Sequence, residues 1–172
     1  MYQIQDISSM LAGEYTAPKA GDTIVDVCGA PGGKSINAAL KMSEQGDCGR
    51  VIARDLSDYK VALIDENIKR LNITNIQTQV YDALDCDESL INKADIVIAD
   101  LPCSGLGIIG RKPDIKYNAS PEKLQSLVDL QRDILKVVSR YVKSGGVLMY
   151  STCSTWLWCS ICIQHICLIC DD

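Results

Sequence analysis

Short runs rich in β-branched residues alternate with helical patterns, and this alternation constrains the fold more than any other feature of the sequence. The predicted strands are residues 23–27, 50–55, 75–81, 94–100 and 147–153. Strands separated by helices are joined by right-handed crossovers, which place parallel strands side by side with helices on both faces. The sequence therefore predicts an α/β fold with a doubly wound, mainly parallel sheet that binds ligands at the carboxyl ends of its strands.

Three helices are predicted from the helical spacing of apolar residues and from capping residues. The first covers residues 35–42, and the second follows Ser57, a suitable N-cap residue. The third and longest begins with Ser120 and Pro121, and we expect it to end at residues 143–146, Lys-Ser-Gly-Gly. The apolar residues that predict its buried face are Leu124, Leu127, Val128, Leu135 and Val138.

A glycine-rich loop, DVCGAPGGKS at residues 26–35, follows the first predicted strand. It shares its Gly-Lys-Ser ending with the nucleoside triphosphate loop GxxxxGK[ST], whose backbone N–H groups surround a phosphate. Cys28 replaces the first glycine of that motif, and Pro31 has no N–H group to donate. The loop is therefore a poor phosphate cradle, and a P-loop nucleoside triphosphatase is disfavoured.

An aspartate follows or ends each of the first four predicted strands: Asp26, Asp55, Asp82 and Asp100. Asp55 comes one strand–helix unit after the glycine loop, where an ionised carboxylate can accept two hydrogen bonds from a ribose diol. Four acidic strand ends without a phosphate cradle favour a cationic nucleoside that carries no phosphate. S-adenosylmethionine meets these requirements, whereas taken singly the glycine loop and Asp82 could serve only as a turn and a capping residue.

Four motifs then occur in a fixed order: QDISSM at 5–10, DVCGAPGGKS at 26–35, DLPCSGLGIIGRKPDIK at 100–116 and YSTCS at 150–154. In order and spacing they resemble the methyltransferase domain of Sun-type RNA cytosine-5 methyltransferases, especially the bacterial enzymes acting on small-subunit ribosomal RNA. The resemblance covers residues 1–154 and implies the Rossmann-like fold of class I S-adenosylmethionine-dependent methyltransferases. It also implies a cofactor site lined by Cys28, Gly29, Ala30, Pro31, Gly32, Gly33, Lys34, Asp55, Asp82 and Asp100.

The same resemblance implies that Cys153 is the catalytic nucleophile and that Cys103 and Asp100 assist it. Carbon 5 of cytosine attacks a sulfonium methyl group only after a thiolate has added to carbon 6. Cys103 would assist release of the carbon 5 proton, and Asp100 would hydrogen-bond the base near N3. From the residues alone, both cysteines could equally be small buried core residues. The basic residues of segment 111–116 are candidate contacts to RNA phosphates.

Residues 155–172 depart from the family pattern, so we expect a Cys-rich tail separate from a methyltransferase core at 1–154. The tail contains two CxxC pairs, at 159–162 and 167–170, with only residues 163–166 between them. Structural zinc sites separate their CxxC pairs by a dozen or more residues, so no metal site is predicted. The family's C-terminal strands are expected to be missing or altered, which would leave strand five with a bare or wrongly covered edge that favours self-association.

Composition restricts the possible partners. The chain has 172 residues, of which 47% are hydrophobic, and a formal net charge of −5. This indicates one folded domain and argues against a surface for non-specific nucleic-acid binding. The ribosomal RNA that the resemblance implies as partner would therefore need a local basic patch or another domain. No signal peptide or membrane span is recognised, and we expect a cytoplasmic protein. A second hypothesis stays open, a truncated non-catalytic fragment that binds only the cofactor or protein partners.

Overall fold

The computed structural model describes residues 14–46, 49–105, 120–152 and 167–169. They contain a six-stranded sheet with strand order β3-β2-β1-β4-β5-β6. The first five strands pair with one another in parallel, and β6 pairs with β5 antiparallel. The predicted doubly wound, mainly parallel sheet is confirmed. The strands are β1 (Thr23–Asp26), β2 (Arg50–Asp55), β3 (Ile76–Val80), β4 (Ala94–Asp100), β5 (Val142–Ser151) and β6 (Cys167–Ile169).

Three long helices connect the parallel strands: α1 (Gly33–Glu44), α2 (Asp58–Leu71) and α3 (Pro121–Val138). Ser57 has the extended backbone of an N-cap residue at the start of α2. At the start of α3, the Ser120 hydroxyl accepts a hydrogen bond from the backbone N–H of Lys123 at 3.3 Å. Both predicted N-caps are therefore confirmed. Short 3₁₀ turns at Glu88–Leu90 and Ser139–Tyr141 precede β4 and β5.

The sheet buries apolar side chains on both faces, as a parallel sheet covered by helices must. On one face α3 packs over a cluster that includes Val25, Ile52, Val97, Ile134, Val138, Tyr141 and Tyr150. On the other face α1 packs over a cluster that includes Ile24, Ala38, Ala39, Met42, Ile98 and Met149. Each fully buried aliphatic side chain contributes about 1.5–3 kcal/mol, so these two layers fix the strands and align their carboxyl ends at one edge. We call this edge the ligand edge.

The predicted end of the third helix is wrong. Helix α3 ends at Val138, and residues 142–146 form the first half of β5. The Lys143 ammonium makes an ion pair with the Asp95 carboxylate near the start of β4, which draws this segment into the sheet. A Cβ atom at Gly146 would lie 2.9 Å from the Asp95 carbonyl oxygen. The glycine thus permits close approach of two strands and does not end a helix.

The edge of β5 was predicted to be bare or wrongly covered, and the structure shows it covered along Leu148–Tyr150 by the tail strand β6. The other tail cysteines, Cys159, Cys162 and Cys170, lie outside the described residues. Within the described ranges, no group of three or more His, Cys, Asp or Glu side chains could hold a metal ion. None of the helices in those ranges has the length and hydropathy of a membrane span.

Candidate functional site

The glycine loop connects β1 to α1 at the ligand edge, and its backbone is tied to the end of β2. The N–H of Gly29 donates to the carbonyl of Arg54 at 2.7 Å. The N–H of Ala30 donates to the Asp55 carboxylate at 3.0 Å. These two bonds fix the distance between the loop and the strand that carries Asp55.

Gly32 ends the loop as the N-cap of α1 in a left-handed conformation, with φ of 102°. A Cβ atom at this position would lie 3.2 Å from both Ile36 and Ile64 side chains. Glycine is therefore required at position 32 for two reasons: the left-handed backbone conformation and the small space between α1 and α2. The tight turn lets α1 begin directly at the ligand edge.

Asp26 lies beneath the loop at the end of β1, with only 1% of the residue exposed. Its Oδ2 accepts a hydrogen bond from the Ser35 hydroxyl at 2.6 Å, while Oδ1 has no partner among the described residues. Burial raises the pKa of Asp26 to about 6, although the Ser35 hydrogen bond and the Lys34 charge oppose the increase. Gly29 makes this position possible, since a Cβ there would lie 3.3 Å from the carboxyl group.

Asp55, at the end of β2, is 3% exposed and accepts three hydrogen bonds. Oδ2 accepts from the N–H of Ala30, and Oδ1 accepts from the N–H of Leu56 at 2.8 Å and from the Lys60 ammonium at 3.0 Å. A carboxylate offers about four lone-pair positions, so one position on Oδ2 remains for a ligand hydroxyl. Lys60 is half exposed on α2 and can turn towards solvent to free a second position.

Asp100, at the end of β4, is held from both sides. Lys34 of the glycine loop donates to Oδ2 at 2.5 Å, and the Ser151 hydroxyl at the end of β5 donates to Oδ1 at 2.7 Å. Asp100 and Ser151 are direct partners in the parallel register of β4 and β5. The carboxylate is therefore fixed in orientation at the centre of the ligand edge, between the glycine loop and β5.

Two further predicted residues line this edge less centrally. Cys28 is half-buried in the glycine loop, and burial, together with the nearby Asp26 and Asp55 charges, raises its pKa to about 12. Its thiol is thus protonated at neutral pH and unsuited to nucleophilic attack. Asp82 is half-buried just after β3, where its Oδ1 accepts from the N–H of Leu84 at 2.9 Å.

The two predicted catalytic cysteines differ in what the structure describes. Cys103 is half-buried, three residues after β4, and is disulfide-bonded. Cys153 lies outside the described residues, as do the basic residues of segment 111–116. The end of β5 at Ser151 is nevertheless described, and it stands beside Asp100.

Ser151 and Lys60 bind the predicted aspartates but were not among the predicted site residues. Ser151 lies inside the YSTCS motif, so the sequence does place a hydroxyl group two residues before Cys153. Its contact with Asp100 depends on β5 lying next to β4, which the pattern of strands and helices does not specify. Lys60 is five residues after Asp55, which places it in the first turn of α2 and within reach of the strand end.

The ligand edge combines buried or oriented carboxylates with a loop that offers few N–H groups to a phosphate. The three central carboxylates are Asp26, Asp55 and Asp100, and the cations beside them are Lys34 and Lys60. Carboxylates attract a cationic ligand and repel phosphates, and they accept hydrogen bonds from hydroxyl and amino groups. The arrangement suits a positively charged ligand that carries a diol.

Comparison with known proteins finds a matching family model and similar relatives. The family model described as 16S rRNA methyltransferase RsmB/F matches residues 14–158. A probable ribosomal RNA small subunit methyltransferase B from Bacillus subtilis is 43% identical over 152 residues, which are 88% of this chain and 33% of that protein.

Two solved structures are similar to this chain in fold and sequence. The crystal structure of PH0851 aligns with a TM-score of 0.84 at 33% identity, covering 90% of this chain and 34% of the other. NSun6 from Pyrococcus horikoshii, solved with SFG, aligns with a TM-score of 0.75 at 31% identity, covering 87% of this chain and 37% of the other. The chain thus spans about a third of the length of these proteins.

Proposed function

Because the chain belongs to the RsmB/F family of 16S rRNA methyltransferases, we propose that it transfers a methyl group from S-adenosylmethionine to carbon 5 of a cytosine in ribosomal RNA. The observation that carries the proposal is the orientation of Asp100 by Lys34 and Ser151, directly before the PCSG segment. A carboxylate held in this way can hydrogen-bond a base without reorganising during the reaction.

The described residues fit S-adenosylmethionine, which would supply an electrophilic methyl group on a sulfonium centre. Asp55 has a free lone-pair position for a ribose hydroxyl. Residues Cys28 to Lys34, together with Asp82 and Asp100, complete the proposed cofactor site. The related NSun6 structure contains SFG, an analogue of S-adenosylmethionine.

In the proposed reaction, the Cys153 thiolate adds to carbon 6 of the cytosine and forms a carbon–sulfur bond. The addition places electron density on carbon 5. Bound S-adenosylmethionine would supply the methyl group to this carbon, with cleavage of its sulfur–methyl bond and departure of S-adenosylhomocysteine. Cys103 then assists removal of the carbon 5 proton, and the electrons of that bond expel the thiolate from carbon 6. Asp100 binds the base near N3 throughout. The target cytosine must be unstacked to expose carbon 6 to the thiol.

Binding of S-adenosylhomocysteine, measured by calorimetry, tests the cofactor site without RNA. Asp55→Ala should weaken binding about tenfold or more, because a ribose would lose hydrogen bonds to a charged acceptor, which contribute about 1.5–3 kcal/mol. Asp58→Ala is the matched control, since Asp58 is an exposed carboxylate three residues away on α2. Equal affinity in wild type and Asp55→Ala would remove Asp55 from the ribose site.

Trapping of RNA on the protein separates the roles of the two cysteines and also distinguishes catalysis from cofactor binding alone. Cys153→Ser should abolish methyl transfer and any covalent adduct, because a serine hydroxyl is far less ionised than a thiol. Cys103→Ser should methylate but release RNA slowly, and should accumulate an adduct that survives denaturation. The assay needs a reductant, since Cys103 is disulfide-bonded.

The full-length context of the reaction can be provided by a chimera, in which residues 1–154 replace the matching segment of the Bacillus subtilis relative. Trapping by Cys153→Ser and not by Cys103→Ser would reverse the roles of the cysteines. S-adenosylhomocysteine binding without methyl transfer in the chimera would favour the alternative, a non-catalytic fragment that binds the cofactor or protein partners.

The proposed partners follow from the same function. Ribosomal RNA is the proposed substrate, and the basic residues of segment 111–116 are its proposed phosphate contacts. We place the protein in the cytoplasm, where ribosomal RNA is available, without a membrane partner. Self-association through β5 is also proposed, because among the described residues β6 covers three of the ten residues of this strand, Leu148–Tyr150. Sedimentation tests it, and a concentration-independent monomer would exclude it.

A further inference from the structure

Gln131 is a polar side chain buried inside the apolar layer between α3 and the sheet, with 4% of the residue exposed. Its amide nitrogen donates to the carbonyl of Pro102 at 2.6 Å. Its amide oxygen accepts a hydrogen bond from the Tyr150 hydroxyl at 2.9 Å. A buried amide is costly unless it is hydrogen-bonded, and here both ends of the amide have partners.

The two partners of Gln131 belong to the two segments that carry the predicted catalytic residues. Pro102 directly precedes Cys103, in the segment that leaves β4. Tyr150 is in β5, directly before Ser151, whose hydroxyl orients Asp100. Gln131 therefore bridges the segment that follows β4 and the strand that supports the Asp100 carboxylate.

This bridge lies one residue beyond a backbone bond between the two segments. The N–H of Leu101 donates to the carbonyl of Ser151 at 3.1 Å. One residue further, the carbonyl of Pro102 accepts a hydrogen bond from the Gln131 side chain. Helix α3 is thereby tied to the chain where it leaves β4 towards Cys103.

We propose that Gln131 is a positioning residue that holds the Pro102 carbonyl and so sets the position of the Cys103 thiol relative to Asp100 and β5. Tyr150 is its support, since the Tyr150 hydroxyl orients the amide so that its nitrogen faces Pro102. The consequence for methyl transfer rests on the proposed function, whereas the effect on the Cys103 segment does not.

Alkylation of Cys103 by iodoacetamide in the reduced chain, followed by peptide mass spectrometry, tests the position of this segment directly. Gln131→Leu removes the donor to Pro102, and we expect the labelling rate of Cys103 to rise about tenfold, the factor that corresponds to one lost hydrogen bond. Gln131→Met has nearly the same length as glutamine and offers no donor to Pro102, so it should behave like Gln131→Leu. Tyr150→Phe leaves the bond to Pro102 in place and should have a smaller effect.

Two controls separate positioning from general loosening of the fold. Ile134→Val alters a residue on α3 that is equally buried, at 4% exposure, and contacts the same core cluster. The Cys28 thiol in the glycine loop reports opening of the ligand edge as a whole. The proposal requires faster labelling at Cys103 alone, in the Gln131 variants and not in Ile134→Val.

Two results would overturn the proposal: a Cys103 labelling rate in Gln131→Leu equal to that in Ile134→Val, or an equal increase at Cys28. In the chimera, the Gln131 variants should lower kcat for methyl transfer while the Kd for S-adenosylhomocysteine stays unchanged. If the wild-type chain neither binds S-adenosylhomocysteine nor methylates RNA, the proposed function fails, and the labelling result still decides the role of Gln131.

Discussion

Replacing Asp26 with asparagine should remove a large part of the pH dependence of stability. Burial raises the pKa of Asp26 from 3.8 to about 6, so the folded state binds a proton more tightly at this site than the unfolded state does. The contribution of Asp26 to stability is therefore fully present below pH 3.8 and is lost as the pH rises through about 6. Asparagine has nearly the same shape and no charge, so it abolishes this loss.

The size of the effect follows from the difference between the two pKa values. The difference is about two units, and at 1.36 kcal/mol per unit it corresponds to a total of about 3 kcal/mol. Between pH 4.5 and pH 7.5, the wild type should lose about 2 kcal/mol more of its unfolding free energy than Asp26→Asn does. For a chain of this length, that corresponds to a relative shift in melting temperature of about 4–8 °C.

Urea denaturation of both proteins at a series of pH values measures this difference. The comparison is made between pH values, so any constant cost of burying the asparagine amide cancels. Ser35→Ala is a useful companion, because the Ser35 hydrogen bond lowers the pKa of Asp26 and its loss should shift the transition to higher pH. Parallel stability curves for wild type and Asp26→Asn, or a carboxyl ¹³C titration midpoint near 3.8, would refute the argument.

Three further predictions concern residues around the ligand edge. Asp87→Ala should lower the unfolding free energy by about 3–5 kcal/mol in urea denaturation, because it leaves the buried Arg54 guanidinium without its carboxylate. A decrease of less than about 1 kcal/mol would contradict this prediction. Gly32→Ala should lower the melting temperature more than Gly46→Ala does. Both glycines have positive φ, but only at position 32 does a Cβ atom lie against isoleucine side chains. Equal decreases in melting temperature would mean that these contacts cost nothing. Cys28 should react with iodoacetamide at pH 8 about a thousandfold more slowly than a model thiol, because its pKa is about 12. A rate within tenfold of that of the model thiol would show that the Cys28 thiol is not held protonated.

The strands and the acidic ligand edge could be predicted from the sequence because both depend on local patterns. An apolar run such as residues 94–100 forms a central strand whatever its neighbours are, and an aspartate at its end then lies at the carboxyl edge of a parallel sheet. The bonds that orient Asp100 could not be predicted in this way. Lys34 and Ser151 are 66 and 51 residues away in sequence, and their contacts require β4 to lie next to both β1 and β5.

The interior of α3 shows a second limit of periodicity. Of the buried face predicted by the apolar stripe, Val138 is buried, whereas Leu124, Leu127, Val128 and Leu135 are only half-buried. The other buried residues of the helix, Gln131 and Ile134, were not predicted. A pattern based on hydrophobicity passes over a buried glutamine, because its burial depends on hydrogen-bond partners supplied by other segments. The tail strand β6 was missed for a related reason, since its pairing with β5 depends on an available strand edge and not on a local signal.

The opposite direction of β6 affects the approach to the ligand edge. In the parallel part of the sheet, each crossover carries the chain from the carboxyl end of one strand back to the amino end of another. β5 ends beside the site at Ser151, and β6 begins beside Tyr150 with Cys167, so both ends of this one connection border the same edge. A chain that turns back antiparallel thus re-enters the sheet on the side of the site, whereas each parallel strand enters the sheet from the opposite edge.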